Sequence, residues 1–253
     1  LIVNTTSLPG NAAIAALSEL EFRRTGSGTY PHVTSGAGNF FKTATGNLTM
    51  TGANSCTGAH SIEAGTLTLA RGAGNTLNTS VHMSIDSGAT LILSTNQQLA
   101  TLAGGGGVVL NAPLILSSST STTFSGGISG PSTLTKAGSS TLTLSGTNTF
   151  TGNCNINAGT LITANSAALA NSCPVVMTAG LFQVDQTLQI GRLSGTGGTT
   201  TVAAGKKLTV GDSTNVTFAG NMTGSGNIKK VGASRWTLTG ISTMTGDVEI
   251  TAG

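Results

Sequence analysis

Three six-residue stretches indicate the fold: Asn47-Leu-Thr-Met-Thr-Gly52, Thr141-Leu-Thr-Leu-Ser-Gly146 and Arg235-Trp-Thr-Leu-Thr-Gly240. They begin at residues 47, 141 and 235, so each lies 94 residues from the next. Within each stretch, apolar and polar side chains alternate, which is typical of a β-strand with one buried face. The closing glycine supplies the backbone freedom that a tight corner needs. The sequence therefore predicts short strands and corners that recur at a fixed distance.

The 94-residue spacing extends well beyond these strands. Three copies of one unit follow it, at residues 14–65, 108–159 and 202–253. Two linking stretches, 66–107 and 160–201, are related more loosely, with small compensating gaps near Asp86 and Gly180. Repetition of this length is the signature of a repeat architecture. We therefore expect residues 1–253 to form a single repeat segment.

The composition restricts the classes of protein that fit. Only 8% of the residues are charged, against about 25% in an average globular protein. A hydrophobic content of 38% with a mean hydropathy of +0.21 is too apolar for a disordered chain. The 37 glycines disfavour helices. The net charge of +3 comes from scattered cations and short basic pairs. It forms no dense basic stripe of the kind that binds nucleic acid, so we expect no nucleic-acid partner.

Short strands with glycine-rich corners occur in sandwiches and barrels as well as in solenoids. A closed barrel cannot be extended by repetition, whereas a solenoid grows by stacking each coil on its neighbour. The long exact repeat therefore favours an all-β fold, a parallel β-helix (β-solenoid). At roughly 20–25 residues per coil, 94 residues make about four coils and the chain roughly eleven. We expect Leu, Ile, Val and Met to form ladders inside, and Thr, Ser and Asn to cover the outside.

The second copy carries the fullest motif. It reads Leu134-Thr-Lys-Ala-Gly-Ser-Ser-Thr-Leu-Thr-Leu-Ser-Gly-Thr-Asn-Thr-Phe-Thr-Gly152, followed by Ile156-Asn-Ala-Gly-Thr-Leu161. This motif resembles the autotransporter-associated β-strand repeat of bacterial autotransporter passenger domains, L-x-K-x-G-x-G-x-L-x-L-S-G-x-N-x-Y/F-T-G followed by G-T-L. The third copy departs from it at Ile241-Ser-Thr-Met, and in the first copy Cys56 stands where Phe150 does.

The resemblance implies a right-handed parallel β-helix within a longer exported polypeptide. It implies passage through the outer membrane by way of a C-terminal translocator barrel outside this segment, and a location on the bacterial cell surface or outside the cell. The implied role is a structural stalk and an adhesion scaffold, with the repeats aiding secretion and folding. The implied partners are a host cell surface, matrix or glycan, or another copy of the same protein.

Two pairs of acids raise the alternative of a carbohydrate-active enzyme, because glycosidases use paired carboxylates. Glu19 with Glu21, and Asp247 with Glu249, are each two residues apart and would share a strand face. Isolated acids near the ends of a segment more often keep the surface soluble. We therefore expect no catalytic residues and no enzymatic activity.

The remaining chemistry-bearing residues follow no recognised pattern. His32, His60 and His82 lack metal-ligand spacing, so we expect no metal. The run Gly104–Gly107 lacks the Lys-Ser/Thr ending of a phosphate loop, so we expect no cofactor. Its expected role is a turn between coils.

The three cysteines are Cys56, Cys154 and Cys173. Cys154 and Cys173 are 19 residues apart, about one coil, so stacking could bring them within disulfide range. They form a candidate disulfide, and Cys56 is expected to be a small buried apolar residue.

Three functions remain open on these residues. The first is a surface-displayed stalk that forms or carries an adhesive surface. The second is a fragment of a β-helical toxin that oligomerises or docks a receptor, and the third is a carbohydrate-active β-helix enzyme. The non-repeating insertions 71–90 and 163–180 are the expected recognition elements, because loops carry function on repeated scaffolds.

Overall fold

The computed structural model describes residues 2–3 and 10–253, with side chains from residue 10 onward. Residues 1 and 4–9 of the predicted segment lie outside the described residues. Every regular element in the described ranges is a β-strand, and no helix occurs among them. In chain order the strands are β1 (Ile2–Val3), β2 (Ala12–Ile14), β3 (Glu19–Phe22), β4 (Gly28–Tyr30), β5 (Thr34–Gly36), β6 (Asn39–Lys42), β7 (Asn47–Met50), β8 (His60–Ile62), β9 (Thr66–Leu69), β10 (His82–Ile85), β11 (Thr90–Leu93), β12 (Gln97–Leu99), β13 (Thr101–Gly104), β14 (Gly107–Leu110), β15 (Leu114–Leu116), β16 (Thr122–Phe124), β17 (Ile128–Ser129), β18 (Leu134–Lys136), β19 (Thr141–Leu144), β20 (Cys154–Ile156), β21 (Thr160–Thr163), β22 (Pro174–Met177), β23 (Leu181–Val184), β24 (Leu188–Ile190), β25 (Arg192–Gly195), β26 (Thr199–Val202), β27 (Lys207–Val210), β28 (Val216–Phe218), β29 (Asn221–Gly224), β30 (Asn227–Lys230), β31 (Trp236–Leu238) and β32 (Val248–Ile250).

These strands stack in parallel on the three sides of a coil. The first side is a twelve-stranded sheet that runs from β1 to β29. The second side holds a six-stranded sheet between β4 and β17 and then a four-stranded sheet between β24 and β32. The third side holds β2 with β5 and then an eight-stranded sheet between β12 and β31. The fold is therefore an all-β solenoid of parallel strands, as predicted, with about twelve coils rather than eleven.

The core consists of ladders of like residues from successive coils. On the second side, paired positions of β7, β9, β11, β14 and β17 stack one above another, and all of these side chains are buried: Leu48, Leu67, Leu91, Val108 and Ile128. The expected aliphatic ladders are thus present. Full burial of such a side chain contributes about 1.5–3 kcal/mol. Because each rung touches the rungs above and below, every coil stabilises its neighbours.

The 94-residue repeat does not equal a whole number of coils. Starting from β6 on the first side, the strands of the next five coils on that side are β8, β10, β13, β16 and β19. The equivalent of β6 in the second copy is β18, which lies on the third side and between β16 and β19 in the chain. A repeat therefore spans four complete coils and two sides of a fifth, rather than about four coils. Each copy lies one side away from the copy before it.

One glycine in each repeat is required by the close stacking of the coils. Gly36, Gly130 and Gly224 have φ angles of 108°, 104° and 102°. A Cβ atom at any of them would overlap the backbone carbonyl of a residue one coil earlier in the chain. Only glycine combines this left-handed backbone with so close an approach, which explains why it recurs in all three copies.

Candidate functional site

The corners that follow two equivalent strands differ in length. After β9 the chain takes the twelve residues 70–81 to reach β10, and we call this segment the long corner. After the equivalent strand β21 it takes the ten residues 164–173 to reach β22, and we call this segment the short corner. The two-residue difference lies inside the first of the expected recognition insertions, 71–90.

The short corner is closed by one asparagine. Asn148 is buried, and its Oδ1 accepts a hydrogen bond from the backbone N–H of Ile128 at 2.7 Å. Its Nδ2 donates to the carbonyl of Ala168, within the short corner, at 2.8 Å. Both ends of the carboxamide therefore join neighbouring coils, and both of its buried atoms have partners, as buried polar groups normally do.

The long corner is held by a glutamine from the following coil instead. The Oε1 atom of Gln97 accepts from the backbone N–H groups of Thr76 and Leu77, each at 3.0 Å. Its Nε2 donates to the carbonyl of Leu77 at 3.1 Å. Asn54 is equivalent to Asn148, and its Oδ1 accepts from the N–H of Cys56 at 2.9 Å. The buried Nδ2 of Asn54 has no hydrogen-bond partner. Leu77 is the residue that corresponds to Ala168, and its carbonyl accepts from Gln97 instead.

Two clefts flank the long corner: one lies next to the preceding coil and the other next to the following coil. The first, which we call the Arg71 cleft, is an open depression of about 360 Å³ lined by residues 53–55, Arg71 and 75–79. Arg71 is the one charged residue in its lining, and its Nη1 donates to the carbonyl of Asn75 at 2.9 Å. Among the residues that the structure describes, Arg71 forms no ion pair.

The second cleft, the Thr95 cleft, encloses about 410 Å³ and is lined by residues 72–75, 94–96 and Ala112. The Oγ1 atom of Thr95 is buried and has no hydrogen-bond partner. Asn75 lines both clefts, and its Oδ1 accepts from the backbone N–H of Gln98 at 3.0 Å. The two clefts therefore adjoin at a fixed asparagine, and each has an unsatisfied polar atom in a lining residue.

A buried lysine occupies the same position in each repeat. Lys42, Lys136 and Lys230 are 0%, 2% and 6% exposed. Each ammonium group donates to backbone carbonyls of its own corner and of the corner one coil later; for Lys136 these are the carbonyls of Gly138 and Ala158. Burial lowers the pKa of Lys42 and of Lys136. Hydrogen bonds from a charged donor are stronger than neutral ones, so these lysines join successive coils.

The histidines do not form a cluster. His60 is buried inside the first side, where its ring stacks on Phe40 with centroids 5.4 Å apart. Burial lowers the pKa of His60 to about 4, although a hydrogen bond from Nδ1 to the carbonyl of Gly58 opposes the shift. His82 lies on the surface and bonds Thr101. Within the described ranges no three His, Cys, Asp or Glu side chains are grouped to hold a metal ion.

All three cysteines are free and buried. Cys154 lies opposite Val175 in the neighbouring coil, so Cys173 is two positions away from direct register. Burial raises the pKa of Cys173 to about 12 and also raises that of Cys154. Cys154 and Cys173 therefore lie in neighbouring coils as free thiols. A disulfide between them stays a prediction.

Comparison with known proteins identifies the repeats. The family described as passenger-associated-transport-repeat matches residues 40–69, 134–162 and 228–253. An adhesin autotransporter, BmaC, from Brucella suis biovar 1 (strain 1330) is 36% identical over 165 residues, which cover 60% of this chain and 5% of that protein. This chain carries the repeats of an autotransporter passenger, and we call it the passenger segment. No solved structure matches it.

The passenger segment spans only about 5% of the length of the curated relative that it matches. The repeats and this relative indicate display on the bacterial surface or secretion through the outer membrane, as expected. No helix among the described residues is long and apolar enough to cross a membrane.

One acid of each pair in the passenger segment is engaged with a cation or a hydroxyl group. Glu21 receives two hydrogen bonds from Arg23, at 2.9 and 3.1 Å, and one from Thr43. The hydrogen bond from Thr43 is the largest of the effects that lower the pKa of Glu21. Glu249 forms an ion pair with Lys229 at 2.8 Å. No acid lines the Arg71 cleft or the Thr95 cleft.

In the sequence, the long corner stands out only as part of a non-repeating insertion. Arg71, Asn75 and Gln97, the residues that shape the clefts, belong to no recognised motif. A signal for one of them exists, because Gln97 of the first linking stretch stands where the second linking stretch has the apolar Leu188. Their strand partners, Leu114 and Leu208, are 94 residues apart. A polar residue that replaces a buried leucine in one copy of a repeat predicts a new buried acceptor or donor beside it.

Proposed function

We propose that this passenger segment is a structural stalk whose exposed corners form an adhesion surface, and that it catalyses no reaction. The observation that carries the proposal is the uninterrupted stack of about twelve coils built from repeats of the passenger-associated type. A stack of this kind positions irregular corners on a rigid rod, as repeat scaffolds do. The adhesin relative supports the same role.

The proposal treats residues 1–253 as one segment with the repeats 14–65, 108–159 and 202–253. Continuous pairing along the first side, from β1 to β29, supports a single unit. Because each repeat begins on a different side of the solenoid from the repeat before it, equivalent surfaces of the three repeats would lie on all three sides of the stalk. The repeats would aid secretion because each new coil can fold onto the coil before it, without waiting for distant parts of the chain.

The test is adhesion without turnover. Bacteria that display the segment on a translocator barrel would be compared with bacteria that display an unrelated passenger, on host cells, on matrix and on each other. We expect more attached cells or larger aggregates with the segment. Equal attachment on every surface, with correct display shown by antibody, would contradict the adhesive role.

The same preparation separates the alternatives. A toxin fragment would form rings or release dye from lipid vesicles, and a carbohydrate-active enzyme would generate new reducing ends from polysaccharides. For the enzyme alternative, Glu21→Gln and Glu249→Gln are the diagnostic variants. We expect neither leakage nor turnover, and turnover that these variants abolish would overturn the non-enzymatic assignment.

A further inference from the structure

We propose that the long corner is a binding site for an acidic saccharide, with the Arg71 cleft holding the charged sugar and the Thr95 cleft the next sugar unit. This inference rests on the proposed adhesive function and names the ligand class that one surface would recognise. The clefts measure about 360 and 410 Å³, within the range of small-ligand sites.

The charge of the Arg71 cleft selects the class of ligand. Its lining holds one arginine, no acid, and the amides and hydroxyl groups of residues such as Asn54, Ser55 and Asn78. One N–H of the guanidinium bonds the carbonyl of Asn75, and no ion pair with a described residue occupies the others. A planar guanidinium matches a carboxylate or sulfate in a two-bond geometry. Amides and hydroxyls match sugar hydroxyl groups.

Unsatisfied buried atoms support a polar ligand rather than an apolar one. Asn54 is 2% exposed and its Nδ2 has no partner, and the Oγ1 atom of Thr95 is likewise unpaired. Groups of this kind ordinarily find a partner in the protein or in water. One such group belongs to a lining residue of each cleft, so both linings retain hydrogen-bonding capacity that the folded chain does not use.

Rigid support from the scaffold makes the site more than a mobile loop. Arg71 is tied at both ends of its side chain, because its backbone N–H bonds Thr76 Oγ1 at 3.3 Å and its guanidinium bonds Asn75. Asn75 is in turn fixed to the backbone of Gln98. A preorganised site loses less conformational entropy when a ligand binds. The lining offers no aromatic ring for stacking on a sugar, so we expect affinity in the millimolar range for a small saccharide.

The short corner provides an internal reference. Its asparagine is fully bonded within the protein, and its corner is two residues shorter. The site should therefore be confined to the long corner, although both corners follow equivalent strands, β9 and β21.

The experiment titrates the full chain with three probes: sialyllactose, a sulfated heparin disaccharide and neutral lactose. Binding is followed by saturation-transfer NMR and by shifts of the Arg71 and Asn54 side-chain signals. We expect a carboxylated or sulfated probe to bind more tightly than lactose, and Arg71→Gln to weaken that binding by about tenfold or more. The control is Arg235→Gln, which removes the same charge from a smaller cleft lined by Asn215, Val216, Thr217 and Thr237; it should leave binding unchanged.

Preference between the two acidic probes identifies the acid group, and either preference supports the proposal. No binding of either acidic probe at roughly 10 mM, equal binding of lactose, or equal loss in both arginine variants would overturn it. Adhesion of displaying bacteria is measured in parallel. If the unaltered chain mediates adhesion but binds neither acidic probe, this site is rejected and the proposed function stands. Absence of adhesion together with intact saccharide binding would reject the function alone.

Discussion

The long corner and the short corner show two ways to close the same turn of a solenoid. In the short corner, Asn148 alone bonds backbone groups of two neighbouring coils, the N–H of Ile128 and the carbonyl of Ala168. The long corner has two more residues and is closed differently. There the side chain of Gln97, from the next coil, accepts hydrogen bonds from the backbone N–H groups of Thr76 and Leu77. The equivalent asparagine, Asn54, is then left with an unpaired Nδ2.

The difference teaches how a repeat scaffold acquires a local feature. A longer surface loop costs little in chain entropy, but its backbone groups still require hydrogen-bond partners where they are buried. One substitution, a glutamine in place of a leucine, supplies these partners. The Arg71 cleft and the Thr95 cleft accompany this change, and we propose that they bind the ligand.

The largest expected effect comes from removing this glutamine. Gln97→Ala leaves the N–H groups of Thr76 and Leu77 and the carbonyl of Leu77 without partners, so we expect a loss of about 3–5 kcal/mol in the free energy of unfolding. Urea denaturation measures it. The matched control, Gln98→Ala, removes a side chain that bonds only the hydroxyl of Ser117 and should cost under about 1 kcal/mol. Equal losses in the two variants would show that Gln97 does not hold the long corner.

The second effect is acid sensitivity that arises in the first repeat, just before the long corner. Burial lowers the pKa of His60 to about 4 in the folded chain, against about 6.5 when unfolded. Between these values the unfolded chain binds a proton that the folded chain does not. Stability is therefore complete above pH 6.5 and decreases as the pH falls towards 4, by roughly 3 kcal/mol in total.

A matched variant isolates this contribution. The second repeat carries Cys154 at the position of His60, 94 residues later. His60→Cys should therefore remove the decrease between pH 6.5 and 4, whereas changing the exposed His82 to Gln should leave it in place. Denaturation midpoints across this pH range test the expectation, and an unaltered pH profile in His60→Cys would assign the acid sensitivity to other groups.

The third effect compares the two asparagines directly. Asn148→Ala deprives both Ile128 N–H and the Ala168 carbonyl of a partner, so we expect a loss of about 2–3 kcal/mol. Asn54→Ala deprives only the N–H of Cys56 and should cost about 1 kcal/mol. Unfolding free energies of the two variants give the contrast. A larger loss for Asn54→Ala would mean that its Nδ2 has a partner in solution.

The smallest effect concerns the unpaired hydroxyl beside the long corner. Thr95→Val keeps the shape of the side chain and removes an Oγ1 without a partner, so stability should change by less than about 0.5 kcal/mol. Thr163→Val, at the end of β21 just before the short corner, removes a hydrogen bond to the carbonyl of Gln183 at 3.3 Å and should cost about 1 kcal/mol. Thermal unfolding of both variants distinguishes these values; a loss for Thr95→Val as large as that for Thr163→Val would indicate a water-mediated bond.

Much of the fold could be predicted from the sequence because strand alternation and the 94-residue spacing are local or periodic signals. The apolar positions of the stretches 47–52 and 141–146 do form the buried ladders, whereas Leu238 of the third stretch is exposed. The site was harder to predict, since its residues come from three successive coils. Arg71, Asn54 and Gln97 are far apart in the pattern, and no motif joins them.

The sequence by itself determined that this chain is a parallel solenoid, because a long exact repeat of short strands buries its apolar faces by stacking each coil on the next. Its repeated motif determined the resemblance to autotransporter passenger repeats. Tertiary structure alone decided where each repeat lies. A 94-residue unit covers four coils and two sides of a fifth, so the buried lysines Lys42, Lys136 and Lys230 lie on three different sides. That rotation depends on the length of every corner, and corner length is set by how each buried backbone group finds its partner.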